Sequence, residues 1–135
     1  MSDENILFQP IKKYCRRNVA TCNPDDSVMK IAAIMSGLKI SSMIVCEDNN
    51  PIGIMTDRDL RSKVVAKGID PATMVARDIM NAPLITVGED DFIFEALYRI
   101  SKNGIHRICV VDQENRLSGI ITVTDIMRLQ TRSPQ

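Results

Sequence analysis

The pattern of apolar and polar positions occurs twice along the chain, in the same order. In each half, apolar residues recur at the i, i+3, i+4, i+7 spacing of an amphipathic helix; they are Val28, Ile31, Ala32, Met35 and Leu38, and then Ile93, Ala96, Leu97 and Ile100. Two β-branched runs around polar turn residues then predict a pair of strands; the runs are Met43–Cys46 with Ile52–Thr56, and Ile108–Val111 with Leu117–Thr122. A short strand at Val19–Thr21 precedes the first helix, and a further helix begins at Thr56 and at Thr122. The pattern predicts two β-α-β-β-α units.

The two halves also share sequence, which identifies an internal repeat. Residues 40–45 recur 65 positions later as residues 105–110, and residues 53–60 recur 66 positions later as residues 119–126. The one-residue slip falls in a polar loop, where an insertion has little effect on stability. We therefore expect two quasi-equivalent halves, with a ligand cleft where they meet.

Boundaries follow from the repeat. We expect a flexible N-terminus at residues 1–10, a first unit at 11–68, a connector at 69–75, a second unit at 76–130 and a C-terminal tail at 131–135. Residues 11–18 correspond to residues 76–83. Asp25 or Asp26 is the expected N-cap of the first long helix, and Asn103-Gly104 is expected to end the second in the left-handed conformation.

Composition argues against several classes of partner. The 17 Lys and Arg residues balance 17 Asp and Glu residues, and Trp is absent, whereas nucleic-acid-binding proteins normally carry a basic excess and stacking aromatics. Charged residues interrupt the apolar stretches, so no membrane span is predicted. Four cysteines without C-x-x-C spacing are typical of small buried hydrophobes in a reducing cytoplasm, and with a single histidine no metal site is expected.

A Thr-x-x-Asp motif closes each unit, as Thr56-x-x-Asp59 and Thr122-x-x-Asp125. The motif fits a capping box, in which Thr caps a helix and the acidic residue reaches back to a backbone N–H. It also fits a ribose site, because the two oxygens of a carboxylate match a cis-diol and a helix N-terminus favours phosphate. Both interpretations remain open. We find no nucleophile–base pair, so no active site is predicted.

This order of elements, closed by Gly-hydrophobic-x-Thr-x-x-Asp, resembles the CBS domain, named after cystathionine β-synthase. Two in tandem resemble a CBS pair, or Bateman module. The resemblance covers residues 11–130, and its signature occurs twice, at Gly53, Thr56 and Asp59 and at Gly119, Thr122 and Asp125. It implies an α+β fold in which a pseudo-two-fold axis relates the units, with the sheets packed together and the helices outside. It also implies a homodimer.

The resemblance further implies which residues bind a nucleotide. In CBS pairs the Asp residues hold ribose, Thr contacts phosphate, and residues at the entry to the second strand meet phosphate or cover adenine. The expected binding residues are Val19, Ile40, Ser41, Thr56, Arg58, Asp59, Leu84, Ile105, His106, Arg107, Ile120, Thr122, Thr124 and Asp125. Ser41 and His106 are expected near Asp125, and Arg107 near Asp59. Because Arg58 corresponds to Thr124 in the repeat, the two sites are not chemically equal.

A basic cluster precedes the first strand, at Lys12, Lys13, Arg16 and Arg17. Such a cluster is typical of a solvated face, and phosphate contact is the alternative.

The function implied is allosteric sensing of an adenosine-containing ligand, namely AMP, ADP or ATP, with S-adenosylmethionine as an alternative and no cofactor required. A ligand-free dimerisation scaffold, in which each Asp serves only as a cap, is the competing hypothesis. A third, an enzyme that turns over a nucleotide, lacks a nucleophile–base pair. Segments such as residues 56–61 and 124–130 are similar to CBS pairs that precede a nucleotidyltransferase domain, so such a linked domain is an expected partner.

Overall fold

The structure, a computed structural model, describes residues 5–131. The chain divides into two compact units. Residues 19–84 form the first, and the residues up to 18 together with those from 85 onward form the second.

The first unit contains a three-stranded sheet in the order β1-β2-β3. Its strands and α-helices are β1 (Thr21–Cys22), α1 (Val28–Leu38), β2 (Ser42–Glu47), β3 (Asn50–Thr56), α2 (Asp57–Leu60) and α3 (Ala76–Ile79). A π-helical turn at Arg61–Val65 continues α2, and a 3-10 turn at Pro71–Thr73 precedes α3. The strand β1 runs parallel to β2, since α1 provides the crossover that a parallel pair needs. The strands β2 and β3 form an antiparallel hairpin whose turn residues, Asp48 and Asn49, both have positive φ.

The second unit repeats this arrangement with the sheet order β4-β5-β6. Its strands and α-helices are β4 (Thr86–Gly88), α4 (Ile93–Asn103), β5 (Arg107–Val111), β6 (Leu117–Thr122) and α5 (Val123–Thr131). Short 3-10 helices at Ile6–Phe8 and Ile11–Lys13 precede them in sequence. The predicted α+β class and the β-α-β-β-α order of both units are confirmed.

Two local predictions are corrected. The first strand begins at Thr21 rather than at Val19, because the register with β2 pairs only Thr21 and Cys22. The N-cap of α1 is Ser27, whose side chain accepts a hydrogen bond from Lys30 N, rather than Asp25 or Asp26. Asp26 instead accepts a hydrogen bond from Asn23 N in the preceding turn. The predicted left-handed end of α4 is confirmed, with Gly104 at φ 62°.

The segment that opens each repeat pairs with the strands of the other repeat. Arg16 exchanges backbone hydrogen bonds with Ile120 of β6, and Asn81 exchanges the same pair with Ile54 of β3. Apolar anchors follow the same arrangement, since Ile11 is buried in the core of the second unit and Ile79 in that of the first. Each compact unit therefore contains the opening segment of the other repeat, while the boundaries of 11–68 and 76–130 stay a prediction about the repeats.

The expected ends of the chain are described only in part. Residues 6–8, within the expected flexible N-terminus, form a 3-10 helix whose Leu7 packs against the apolar cluster of the second unit. The expected tail lies outside the described residues except for Thr131, the last residue of α5.

Each unit has its own apolar core, formed where one face of the long helix covers the sheet. Ile31 and Met35 of α1 pack with Val45 and Met55 in the first unit. Across residues 5–131, no helix is both long enough and apolar enough to cross a membrane. The four cysteines are free thiols, and Cys22, Cys46 and Cys109 are buried.

Candidate functional site

The Thr-x-x-Asp motif of the first unit forms a capping box at the start of α2. Asp59 N donates to Thr56 Oγ1 at 3.3 Å, and Thr56 N donates to Asp59 Oδ2 at 2.9 Å. The same carboxylate oxygen accepts the Thr56 hydroxyl at 3.0 Å. The capping interpretation is confirmed for this motif.

The motif of the second unit forms the corresponding box at the start of α5. Asp125 N donates to Thr122 Oγ1 at 3.0 Å, and Thr122 N donates to Asp125 Oδ2 at 3.1 Å. A box occupies only part of the acceptor capacity of a carboxylate, which has about four lone-pair positions. The remaining positions decide what else each Asp can bind.

Arg16 occupies the remaining positions of Asp125. Its Nη2 lies 2.6 Å from Asp125 Oδ1, and its Nε lies 3.2 Å from both carboxylate oxygens. The Asp125 side chain is 12% exposed and the Arg16 side chain 58% exposed. Burial raises the pKa of Asp125, but the hydrogen bonds from Arg16 and Thr122 outweigh it and hold that pKa below its ordinary value. Asp125 is therefore an ionised carboxylate, and its charged partner Arg16 is solvent-accessible.

Asp59 has a different set of partners. Asn81 Nδ2 donates to Asp59 Oδ2 at 2.8 Å, and Lys63 Nζ lies 3.2 Å from Asp59 Oδ1. Lys63 also donates to the Ile79 carbonyl at 2.8 Å and to Asn81 Oδ1 at 3.2 Å. The Asp59 side chain is only 8% exposed. This carboxylate belongs to a network that joins α2 to the end of α3.

Several other predicted site residues lie around the start of α5. The His106 backbone carbonyl accepts a hydrogen bond from Val123 N at 2.9 Å, and His106 is exposed. Arg107 stands opposite Thr122 in the register of β5 and β6. Thr124 is exposed on the first turn of α5, and Ile120 is the backbone partner of Arg16. Ile105, which precedes His106, packs against the core of the second unit.

The predicted residues of the first unit are divided between two places. The Ser41 backbone carbonyl accepts a hydrogen bond from Asp57 N at the start of α2, and the next residue, Arg58, is exposed. An open cavity of about 470 Å³ lies between the end of α1 and the start of α2, and its lining includes Ile40, Ser41 and Asp57 but not Asp59.

Val19 and Leu84 are half-buried residues at the two ends of the first unit. The assignment of Ser41 to the site of Asp125, and of Arg107 to the site of Asp59, involves both units and stays a prediction.

Sequence reasoning missed the partners of the two carboxylates. Arg16 was interpreted as part of a solvated face, and Asn81 and Lys63 were not singled out. The repeat does mark Arg16 and Asn81 as equivalent positions. They are 65 residues apart, and each lies three residues before a predicted site residue, Val19 or Leu84. Lys63 lies four residues after Asp59, which is the spacing of a helical ion pair.

The chemistry available at these positions is binding through charge and hydrogen bonds. The start of α5 combines an ionised carboxylate, a guanidinium and a threonine hydroxyl. Over the described range, no group of three or more His, Cys, Asp or Glu side chains is arranged to hold a metal ion.

Comparison with known proteins assigns the fold to a family. The CBS domain family matches residues 11–66 and again residues 76–132. The chain belongs to the CBS domain family. The expected tandem CBS pair is confirmed, and the two matches together cover most of the sequence.

Two relatives illustrate how CBS pairs occur within longer proteins. An uncharacterised protein of Methanopyrus kandleri is 40% identical over 121 residues, which are 89% of this chain and 62% of that protein. Inosine-5′-monophosphate dehydrogenase of Mycobacterium bovis is 35% identical over 111 residues, which are 82% of this chain and 20% of the enzyme. The CBS pair thus corresponds to only part of each relative.

A solved CBS pair shows the same fold with ligands. The CBS domain pair of the protein MJ0100, determined in complex with 5′-methylthioadenosine and S-adenosyl-L-methionine, has a TM-score of 0.79 and 26% identity. The alignment covers 92% of this chain and 97% of that one.

Proposed function

We propose that this CBS pair is a regulatory module that binds an adenosine nucleotide, AMP, ADP or ATP, with ribose held by Asp125 and by Asp59. The observation that carries the proposal is the state of Asp125. Outside its capping box, the carboxylate is held by Arg16, whose side chain is largely exposed. A ribose diol can therefore compete for the carboxylate without unfolding α5.

The remaining predicted residues supply the rest of the proposed site. His106, Thr122 and Thr124 are proposed to offer donors for phosphate close to the start of α5, where the helix dipole also favours an anion. Ser41 is proposed to join them, as the resemblance implies. Thr56 and Arg58 are proposed to have the corresponding role beside Asp59, together with Arg107. Ile40, Ile105, Ile120, Val19 and Leu84 are proposed to contact adenine through apolar side chains or backbone.

Likeness to the MJ0100 pair supports the ligand class, since that pair was determined with two adenosine compounds. S-adenosylmethionine remains the alternative ligand. Regulation requires that the ligand bind two arrangements of the pair with different affinity. We propose that an attached domain reads out this difference.

Isothermal titration of the nucleotide-stripped protein with ATP, ADP, AMP and S-adenosylmethionine tests the proposal. Saturable binding of one ligand is expected, and Asp125→Asn is expected to weaken it at least about tenfold because a charged acceptor is lost. Asp78→Asn is the matched control, since Asp78 Oδ2 accepts from Val75 N at 3.0 Å in an equivalent helix-start contact elsewhere. Absence of binding up to millimolar ligand, or equal loss in both variants, would contradict the proposal.

A ligand-free dimerisation scaffold is the second candidate, and the two intact capping boxes favour it. In that case Asp125→Ala would lower the free energy of unfolding by about 1 kcal/mol and change nothing else. Nucleotide would then leave both the melting temperature and the dimerisation constant unchanged.

Wider partners are proposed from the resemblance and the partial coverage of relatives. The pair is proposed to act in the cytoplasm as a homodimer, linked to a nucleotidyltransferase domain in the native protein. Sedimentation equilibrium tests the dimer. An intact mass of the native gene product equal to that of this chain would exclude the linked domain.

A further inference from the structure

The carboxylates of Asp125 and Asp59 each have a partner at the same position of the repeat, and the two partners differ in charge. Arg16 and Asn81 each pair through the backbone with the middle of the last strand of their unit, Arg16 with Ile120 and Asn81 with Ile54. From this shared position, Arg16 reaches Asp125 and Asn81 reaches Asp59. The residue at this shared position is therefore a cation beside Asp125 and a neutral amide beside Asp59, whose cation is Lys63 of the following helical turn.

The cover on Asp125 competes directly with a ribose. Asp125 accepts a hydrogen bond from Thr122 N, and two N–H groups of Arg16, at Nε and Nη2, make three contacts with its two oxygens. A cis-diol needs two acceptor positions. Ribose can therefore bind Asp125 only after Arg16 has moved away.

Arg16 stays close to the site when it releases Asp125. Its backbone remains fixed, because Arg16 N donates to the Ile120 carbonyl at 2.8 Å and Ile120 N donates to the Arg16 carbonyl at 3.0 Å. Only the side chain has to rotate, and it is already 58% exposed. The guanidinium keeps its charge at any physiological pH and is well suited to binding phosphate through two N–H groups.

Charge then decides which adenosine compound fits. Displacement of Arg16 separates an ion pair and leaves a cation beside the ribose. A 5′-phosphate restores a partner for this cation, an uncharged 5′-methylthio group does not, and the sulfonium of S-adenosylmethionine adds a like charge. We propose that Arg16 is the specificity-determining residue of the Asp125 site, covering the carboxylate in the free protein and binding the 5′-phosphate in the complex. The site then selects adenosine 5′-phosphates over S-adenosylmethionine and 5′-methylthioadenosine.

This inference rests on the proposed function, because it presupposes that ribose binds Asp125. The test is a titration of wild type and Arg16→Gln with AMP, S-adenosylmethionine and 5′-methylthioadenosine at one ionic strength. Wild type is expected to bind AMP at least about tenfold more tightly than either other compound. In Arg16→Gln, 5′-methylthioadenosine should bind more tightly, because glutamine covers the Asp125 carboxylate less strongly than arginine. AMP loses the cation that binds its phosphate. The ratio of the AMP affinity to the 5′-methylthioadenosine affinity should therefore fall about tenfold.

Lys12→Gln is the matched control. Lys12 lies in the same basic segment and its Nζ forms an exposed ion pair with Asp90 at 2.8 Å. A general effect of positive charge would lower the AMP preference in Lys12→Gln as well, and would overturn the assignment to Arg16. Arg16→Lys retains the charge and should retain the preference for AMP, so it also provides the test if Arg16→Gln does not fold.

The outcomes separate this inference from the proposed function. Failure of AMP, ADP, ATP, S-adenosylmethionine and 5′-methylthioadenosine alike to bind wild type would refute both. If the ratio of the AMP and 5′-methylthioadenosine affinities is the same in wild type and Arg16→Gln, within about twofold, the proposed function stands and the role of Arg16 is refuted.

Discussion

Lys63 Nζ lies 3.2 Å from Asp59 Oδ1 and donates in addition to the Ile79 carbonyl and to Asn81 Oδ1. One ammonium group thus ties the carboxylate at the start of α2 to the end of α3, where Ile79 lies sixteen positions beyond Lys63. Because Asn81 and Lys63 connect Asp59 to neighbouring elements of the first unit, this carboxylate has a structural role in addition to its proposed role in binding ribose.

Lys63→Met is expected to lower the free energy of unfolding by about 1–3 kcal/mol, because it leaves the nearly buried Asp59 carboxylate without its charged partner and the Ile79 carbonyl without the Lys63 donor. Urea unfolding followed by circular dichroism measures the change. Lys30→Met is the matched control, since Lys30 and Asp26 form an ion pair of the same i, i+4 spacing at 3.6 Å with an exposed lysine. The control should cost less than about 1 kcal/mol, and equal losses in the two variants would contradict the structural role of Lys63.

Gly119→Ala is expected to destabilise the second unit by about 1–3 kcal/mol. A Cβ at this position would lie 2.6 Å from the Arg16 carbonyl oxygen and 2.8 Å from Cys15 Sγ. The strand β6 and the Arg16 segment would have to separate. Thermal unfolding measures the effect.

Gly37→Ala is the control for that substitution. Nothing lies within 4 Å of a Cβ at Gly37, in the last turn of α1. Alanine there should stabilise the protein by about 0.5 kcal/mol, because it reduces the entropy of the unfolded chain. A tolerated Gly119→Ala would show that the pairing of Arg16 with Ile120 is looser than described.

Acid should destabilise the protein in part through Asp125. The pKa of this carboxyl is lowered in the folded state from an ordinary value of 3.8, so its contribution to stability is complete above about pH 4 and is lost as the pH falls through the lower folded value. Unfolding free energies measured from about pH 5 downward should therefore decline less steeply in Asp125→Asn than in wild type. Identical slopes in the two proteins would contradict the ion pair with Arg16.

Thiol reactivity should distinguish Cys15 from the other cysteines. Burial raises the pKa of Cys22 to about 11, and burial also raises the pKa of Cys46. Burial raises the pKa of Cys15 as well, so access rather than acidity separates the thiols. A thiol-specific reagent should therefore modify half-buried Cys15 before the buried cysteines in the native protein. Peptide mapping after brief treatment identifies the modified residue, and prior labelling of Cys22 would contradict the burial of β1.

Much of the fold could be predicted because the chain states its pattern twice. The repeat places Gly53, Thr56 and Asp59 in the same order as Gly119, Thr122 and Asp125, and a pattern that recurs at fixed spacing is hard to produce by chance. Helix periodicity and strand alternation then located the helices α1, α4 and α5 and the strands from β2 onward, apart from the brief β4.

Short elements were less predictable, because hydrogen bonds to distant segments define them. The extent of β1 depends on which residues pair with β2, and the choice of Ser27 over Asp26 as N-cap depends on a turn that Asp26 stabilises instead. Local propensity does not distinguish these alternatives.

The partners of the site carboxylates were out of reach for the same reason. Arg16 and Asp125 are 109 positions apart, and only the folded chain brings the first segment beside β6. A charge cluster in the sequence indicates solvent exposure on average, which Arg16 satisfies while still pairing with a carboxylate. The exchange of the opening segments between repeats is equally a property of the tertiary structure.

The most direct test of the proposed function is a titration of the isotope-labelled protein with AMP, followed by amide nitrogen–proton spectra. The backbone amides of Thr122 and Asp125 form the capping box at the start of α5 and lie beside the proposed ribose contact. We expect the chemical shifts of these two amides to change saturably with AMP in wild type, and not to change by a comparable amount in Asp125→Asn. Unchanged Thr122 and Asp125 amides at millimolar AMP, or saturable shifts confined to other parts of the chain, would contradict it.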